Sequence, residues 1–107
     1  MINIEAVSQE LRIRPEIYKK ILTGFCLSLP AKIETLTNAF SSSDFKKIQE
    51  VSHEIKGIAS NLRVAKLKSV ASDINALCAE KNLEKGKQLL EDFKREAALL
   101  NTFVKNL

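Results

Sequence analysis

Apolar residues recur at intervals of three and four positions along almost the whole chain. Because an α-helix has about 3.6 residues per turn, this spacing places them on one face and is typical of amphipathic helices. The pattern begins with Ile4, Val7 and Leu11, which predict a short first helix with Asn3 as its N-cap. Four longer helices are predicted after it.

Pro15 predicts the start of the second helix. A proline has no backbone N–H group, and in the first turn of a helix this group would have no hydrogen-bond partner in any case. The apolar stripe of this helix is expected to comprise Ile17, Ile21, Phe25, Leu29, Ile33, Leu36 and Phe40. Pro30 lies inside the stripe and removes one backbone hydrogen bond. Since the stripe continues beyond the proline, the pattern predicts one kinked helix rather than two helices.

The rest of the chain predicts three more helices, separated by short turns. Residues 41–44 form the first turn and offer Ser and Asp side chains as N-caps for the third helix. A second turn is expected at residues 63–64, and the fourth helix is expected to end near residues 81–82. The core-facing residues of the three helices are expected to be Phe45, Ile48, Val51, Ile55, Ile58 and Leu62, then Leu67, Val70, Ile74 and Leu77, and finally Leu83, Gly86, Leu90, Phe93, Ala97, Leu100, Val104 and Leu107.

Four long amphipathic helices with short connections can bury their apolar stripes against one another in a bundle. The pattern therefore predicts an all-α fold, an antiparallel up-down-up-down four-helix bundle with a short additional N-terminal helix. Residues 1–107 are expected to form a single domain, since single cores usually form at roughly 100–150 residues. A complete bundle of this kind predicts a monomer.

Composition narrows the class of protein further. Hydrophobic residues make up 45% of the chain and charged residues 28%, which is ordinary for a folded globular protein. No apolar stretch approaches the roughly 18 residues of a membrane span, so no membrane association is expected. Cys26 and Cys78 adjoin apolar stripes without metal-ligand spacing. This placement predicts buried thiols, no metal site and a cytoplasmic protein.

The formal net charge of +4 comes from 17 basic residues that are interspersed with 13 acidic residues. Nucleic-acid-binding proteins usually concentrate their basic residues in one stripe and add aromatic side chains that stack on bases. This chain has one Tyr and no Trp, and its five Phe lie at core spacings. We therefore expect a mixed-charge surface that binds no nucleic acid.

His53 is the one histidine of the chain. At about 100° per residue, it lies roughly 170° from the centre of the core-facing side of the third helix, with Gln49, Lys56, Gly57 and Ser60 on the same exposed face. An exposed histidine is ordinarily a surface residue without a role. A glycine within an exposed helix, however, costs about 1 kcal/mol relative to alanine. Gly57 and the Lys56 charge therefore favour a nucleophile that meets an outside partner.

The segment Ser52-His53-Glu54-Ile55-Lys56-Gly57-Ile58-Ala59-Ser60-Asn61-Leu62 resembles the phosphorylation-site helix of histidine-containing phosphotransfer (HPt) domains. The similarity extends over essentially the whole chain, through Pro15-Glu16-Ile17-Tyr18, Phe25, Leu29-Pro30, Ser43-Asp44 and the helix carrying Leu67, Val70, Ala71 and Ile74. Two positions depart from the family pattern. Arg63 stands where many members have a glycine, and Asn75 stands where the family often has a Glu or Gln that hydrogen-bonds the histidine ring.

The resemblance implies a phosphocarrier of two-component phosphorelays. His53 would accept a phosphoryl group from a receiver-domain aspartate and pass it to another receiver, with response-regulator receivers and a hybrid histidine kinase as partners. Lys56 would offset the phosphoryl charge, and Gly57 would leave room for the receiver. Asn75, Gln49 and Ser60 would form a second layer of residues around the site, and whether Asn75 reaches the ring stays open. The chain would need no cofactor, because Mg²⁺ is expected on the receiver. It would not be an autonomous enzyme, and it contains no Walker loop, kinase glycine-rich loop or acid–base dyad.

Other functions remain open at this point. The chain could be a non-transferring docking module that binds a receiver or histidine kinase, with His53 incidental. A histidine-kinase dimerisation hairpin would need an adjoining ATP-binding domain and fewer helices. Ala59, Leu11 and Ile13 are expected to border the docking face. The receivers, the direction of phosphate flow and the choice between a standalone protein, which Met1 favours, and an excised domain of a hybrid kinase remain open.

Overall fold

Five α-helices account for most of the chain in the computed structural model, which describes residues 2–107. They are α1 (Ile4–Leu11), α2 (Pro15–Ser41), α3 (Phe45–Asn61), α4 (Ala65–Leu77) and α5 (Leu83–Lys105). The five predicted helices are confirmed, and residues 2–107 contain no strand. The second helix runs through Pro30 without a break, as its uninterrupted apolar pattern predicted.

The four long helices form the predicted bundle. Each of α2, α3 and α4 packs against the helix that follows it, and α5 returns to α2, so that α3 and α5 lie diagonally across the core. The short helix α1 packs against α2. The molecule is elongated, with extents of 41 × 22 × 18 Å. The site on α3 is therefore flanked by α2 on one side and by α4 on the other.

The N-terminal half of α2 buries a different stripe from the one predicted. Ile17 and Ile21 are 37% and 47% exposed, and Tyr18 and Leu22 occupy the core instead. A stripe with a strict four-residue spacing drifts by about 40° per step around a helix of 3.6 residues per turn, so its first members leave the core face. The prediction for Ile17 and Ile21 was therefore wrong.

Tyr18 can be fully buried because its polar end has a partner. The hydroxyl donates a hydrogen bond to the backbone carbonyl of Leu62, the residue that ends α3, at 2.5 Å. Burial raises the pKa of this hydroxyl, and the charge of nearby Arg63 offsets part of the increase. The contact ties the start of α2 to the end of the helix that carries His53.

Side-chain caps begin three of the helices. Asn3, Asp44 and Asn82 accept hydrogen bonds from the backbone N–H groups three residues further on, at 3.0, 3.1 and 3.1 Å. Such caps satisfy amides that the first turn of a helix leaves unpaired. The caps predicted at Asn3 and within residues 41–44 are confirmed. Asn82 was expected near the end of α4 and instead begins α5.

After four of the helices, the chain turns at a residue that is not glycine but adopts the left-handed conformation. These residues are Arg12, Ser43, Arg63 and Lys81, with φ between 54° and 62°. After α3, the Val64 amide donates to the Ala59 carbonyl at 2.8 Å, which closes the turn around Arg63. The Arg63 side chain adds a hydrogen bond to the Ser60 carbonyl and an ion pair with Glu10 of α1. The turn predicted at residues 63–64 thus forms without a glycine.

The fourth helix ends earlier than predicted. It stops at Leu77, and residues 78–81 form a turn in which the Lys81 amide donates to the Leu77 carbonyl at 2.9 Å. Cys78 at this end and Cys26 in α2 are both buried, as predicted. Burial raises the pKa of both thiols, which keeps them protonated at neutral pH.

Gly86 lets α5 approach α2 closely. A Cβ atom at this position would lie 2.4 Å from Cε1 of the buried Phe40 ring. We expect Gly86→Ala to lower the free energy of unfolding by about 1–3 kcal/mol, because overpacking forces the ring or the backbone to move. Chemical denaturation monitored by circular dichroism measures this change.

Gly24 provides the matched control for Gly86. It also lies within a helix, but a Cβ atom there would meet nothing within 4 Å apart from its chain neighbours and the nearby backbone of its own helix. Gly24→Ala should therefore raise the free energy of unfolding by about 0.5–1 kcal/mol through helix propensity. Equal stabilisation by both substitutions would contradict the close contact between Gly86 and Phe40.

Candidate functional site

His53 lies in the middle of α3 with its side chain exposed, as predicted. The opposite side of the helix is anchored in the core, where Ile48 and Ile55 are completely buried. These residues fix the rotation of α3 about its axis. The position of the histidine on the outer face therefore follows from the packing of residues on the inner face.

Lys56 and Gly57 follow His53 at one helical turn. Lys56 is half-buried, and Gly57 is exposed, with open space where a side chain would begin. A glycine in this place leaves backbone as the surface next to the ring. Another protein can approach the imidazole here more closely than it could beside any larger residue.

The α2 side of His53 is bounded by an ion pair. Lys32 of α2 contacts the carboxylate of Glu54, the residue that follows His53. The lysine side chain is 20% exposed and the glutamate side chain 56% exposed, so solvent screens much of the attraction. The pair links α2 to α3 beside the ring, and sequence reasoning missed it because the two residues are far apart in the chain.

Asn75 of α4 bonds to the turn of α3 that precedes His53. Its Nδ2 donates to the Gln49 carbonyl at 3.1 Å and to the Ser52 hydroxyl oxygen at 3.3 Å. Ser52 is completely buried and in turn donates to the Gln49 carbonyl at 3.2 Å. Asn75 thus braces the backbone beneath the site through Gln49 and Ser52.

This brace makes a prediction that separates stability from function. Asn75→Ala removes two hydrogen bonds and should lower the free energy of unfolding by about 1–2 kcal/mol. Because the bonds end on Gln49 and Ser52, we expect the phosphoryl transfer that the family resemblance implies to keep, in the folded variant, a rate within about twofold of wild type. Denaturation curves and transfer kinetics measure the two quantities. A large loss of transfer at unchanged stability would contradict the bracing role.

The remaining predicted site residues line two grooves between α3 and α4. Gln49 lines the groove near the start of α3, and half-buried Ser60 lines the groove near its end. Ala59 is completely buried, so the prediction that it borders a docking face was wrong. Leu11 and Ile13 are half-buried and pack against the core.

The chemistry that the described site offers is that of the His53 imidazole. Within residues 2–107, no group of three or more His, Cys, Asp or Glu side chains could hold a metal ion. In the same part of the chain, none of the helices combines the length and the apolar character needed to cross a bilayer. A neutral imidazole is a nucleophile near pH 7, so His53 can react with an electrophile that another molecule brings to it.

The bundle and its exposed histidine beside the Gly57 backbone agree with the family that the His53 segment resembles. The family model described as "Hpt domain" matches residues 20–105. The chain therefore belongs to the Hpt domain family, and the resemblance found in the His53 segment is confirmed.

Two individual proteins are similar to this chain. The phosphorelay intermediate protein rdeA from Dictyostelium discoideum is 29% identical over 91 residues, which cover 81% of this chain and 36% of rdeA. The chain thus spans about a third of the length of that relative. The crystal structure of histidine-containing phosphotransfer protein B from Pseudomonas aeruginosa PAO1 superimposes with a TM-score of 0.86 at 19% identity, covering 98% of this chain and 91% of the other. This likeness confirms the bundle fold.

Proposed function

We propose that this protein is a phosphocarrier in which His53 accepts a phosphoryl group from a receiver-domain aspartate and passes it to another receiver. The observation that carries the proposal is the exposed His53 ring beside the open backbone of Gly57, in a chain of the Hpt family. The relative rdeA, whose name describes a phosphorelay intermediate, supports the same function.

The proposed transfer exchanges one bond to phosphorus for another. The lone pair of the neutral ring nitrogen Nε2 attacks the phosphorus of the aspartyl phosphate, and the P–O bond breaks, with its electron pair leaving on the aspartate carboxylate. The proton on Nδ1 stays in place. In the second transfer a carboxylate oxygen of another receiver attacks phosphorus, and the P–N electron pair returns to the ring. Such transfer depends mainly on alignment and charge stabilisation.

Nearby residues take supporting roles in this proposal. The Lys56 ammonium group lies one turn from His53 and offsets the negative charge of the phosphoryl group. Gly57 leaves room for the receiver loop, and Asn75 holds Gln49 and the site turn in place. Ser60 borders the same face. The receiver supplies Mg²⁺, so this chain acts as a carrier rather than as an autonomous enzyme.

We further propose that residues 1–107 act as one domain and as a monomer. The support is the closed bundle, in which α5 returns to α2 and leaves no open pair of helices. Receiver domains and a hybrid histidine kinase are the proposed partners. Gel filtration with light scattering at several concentrations tests the monomer, and a dimer would contradict it.

The experiment that tests the proposal is transfer profiling against receivers of the same organism. Each receiver is phosphorylated with acetyl phosphate and Mg²⁺, freed of the small donor and mixed with this protein. We expect rapid labelling of the protein by at least one receiver, with an acid-labile, alkali-stable label that tandem mass spectrometry assigns to His53. Binding of a receiver without any labelling would favour the docking-module alternative instead.

A further inference from the structure

Two surface grooves lie along the contact between α3 and α4, and both carry positive charge. The first has a volume of about 560 Å³ and is lined by Lys46 and Lys81 among uncharged residues. The second has a volume of about 300 Å³ and is lined by Arg63 and Lys68 among uncharged residues. No Asp or Glu lines either groove.

The grooves on the other side of α3 differ in charge. Between α2 and α3, one groove is lined by Lys32 and Glu54, which form an ion pair. The next is lined by Lys47 and Asp44. Each of these grooves thus balances a cation with a carboxylate, and the positive charge around His53 is concentrated on its α4 side.

Apart from Arg63, which pairs with Glu10, the cations of the α4 side are not neutralised by partners. Within residues 2–107, the ion pairs involve Lys32, Lys47, Arg63, Lys94 and Arg95, and only Arg63 belongs to the α4 side. Lys46, Lys56, Lys68 and Lys81 belong to no ion pair in that part of the chain. Lys56 lies between the two grooves, one turn after His53, so the positive surface passes directly beside the ring.

We propose that this basic face, defined by Lys46, Lys56, Lys68 and Lys81, docks the acidic rim of the receiver's phosphorylation site. The inference rests on the proposed function of His53. A receiver that carries an aspartyl phosphate and binds Mg²⁺ must surround them with carboxylate oxygens, because Mg²⁺ is held by carboxylates and phosphate. The acidic rim lies over the α4 side of His53, and the neutral side toward α2 contacts the rest of the receiver.

Charge complementarity of this kind acts mainly on the rate of encounter. Lys68→Glu should therefore lower the second-order rate constant of transfer from a phosphorylated receiver about three- to tenfold at low salt. The difference should shrink at 0.5 M NaCl, and the transfer rate at saturating receiver should stay unchanged. Lys68 is exposed near the start of α4, where a glutamate favours the helix dipole, so the variant should fold.

Lys87→Glu is the matched control for Lys68→Glu. Lys87 is also exposed near the start of its helix, but that helix is α5, which lies diagonally across the bundle from α3. The two variants carry the same change in net charge. We expect Lys87→Glu to transfer at the wild-type rate at every salt concentration.

The outcomes separate this inference from the proposed function. Equal rate constants for both variants, with His53 labelled normally, would overturn the basic docking face and leave the phosphocarrier intact. Absence of label on the wild type would overturn the phosphocarrier itself. Binding of duplex DNA in 150 mM NaCl that Lys68→Glu abolishes, with receiver transfer unchanged, would assign the face to nucleic acid and overturn the proposal.

Discussion

Replacing His53 with glutamine is expected to reduce phosphoryl acceptance from any receiver below detection. A glutamine side chain keeps a polar nitrogen near the same position, but the amide lone pair is delocalised and is a poor nucleophile. The free energy of unfolding should stay within about 0.5 kcal/mol of wild type, because exposed surface positions seldom affect stability more. The ring takes no part in the hydrogen bonds among Gln49, Ser52 and Asn75 that hold this turn.

The measurement pairs transfer from the most active receiver with thermal and chemical denaturation of the same samples. Glu50→Ala serves as the control for a change at another exposed position of α3, and it should retain a label at His53. A label that persists in His53→Gln would place the acceptor elsewhere and contradict the proposed function. If the label and the folded structure were lost together, the His53 side chain would contribute to stability, contrary to its exposed position.

Much of this site could be predicted because it depends on one helix. The positions of Ile48 and Ile55 in the sequence require one side of α3 to face the core, and His53 then points outward by helical geometry alone. The open space at Gly57 follows from the same rotation. Local periodicity thus determines which residues of α3 are exposed, without any knowledge of the neighbouring helices.

The contacts between helices could not be predicted in the same way. The ion pair of Lys32 with Glu54 and the hydrogen bonds from Asn75 depend on the axial positions of α2 and α4 relative to α3. The burial of Tyr18 instead of Ile17 depends on a carbonyl at Leu62, which is 44 residues away in the chain. Spacing along one segment contains no information about such distant partners.

The brace and the open patch serve opposite requirements on the same helix. Hydrogen bonds from Asn75 and the buried Ser52 hold the inner side of α3 in one position. The outer side is exposed at His53 and Gly57, with open space beyond the Gly57 backbone. In-line transfer needs a nucleophile that is fixed in position yet reachable by a large partner. Ile48 and Ile55, which the partner does not touch, fix the position of the ring, and the hydrogen bonds of Asn75 add to the stability of the fold.

Gly57→Leu should separate the requirement for open space from the requirement for a stable helix. Leucine favours a helix more than glycine does, so the free energy of unfolding should rise by about 0.5–1 kcal/mol. The added side chain would stand where the receiver approaches the ring. Since a displacement of about 1 Å can reduce a transfer rate by 10²-fold, we expect at least that loss in the second-order rate constant.

Ala98→Leu is the matched control for Gly57→Leu, because it adds a leucine side chain to an exposed position of α5, diagonal to α3. This variant should transfer at the wild-type rate. Gly57→Ala should fall between the two in rate while matching Gly57→Leu in stability, because a methyl group adds helix propensity but little bulk. Rate constants for Gly57→Leu and Ala98→Leu that agree within about twofold would mean that the receiver does not approach over Gly57. Access of the receiver would then not explain why position 57 is a glycine, which lowers helix stability.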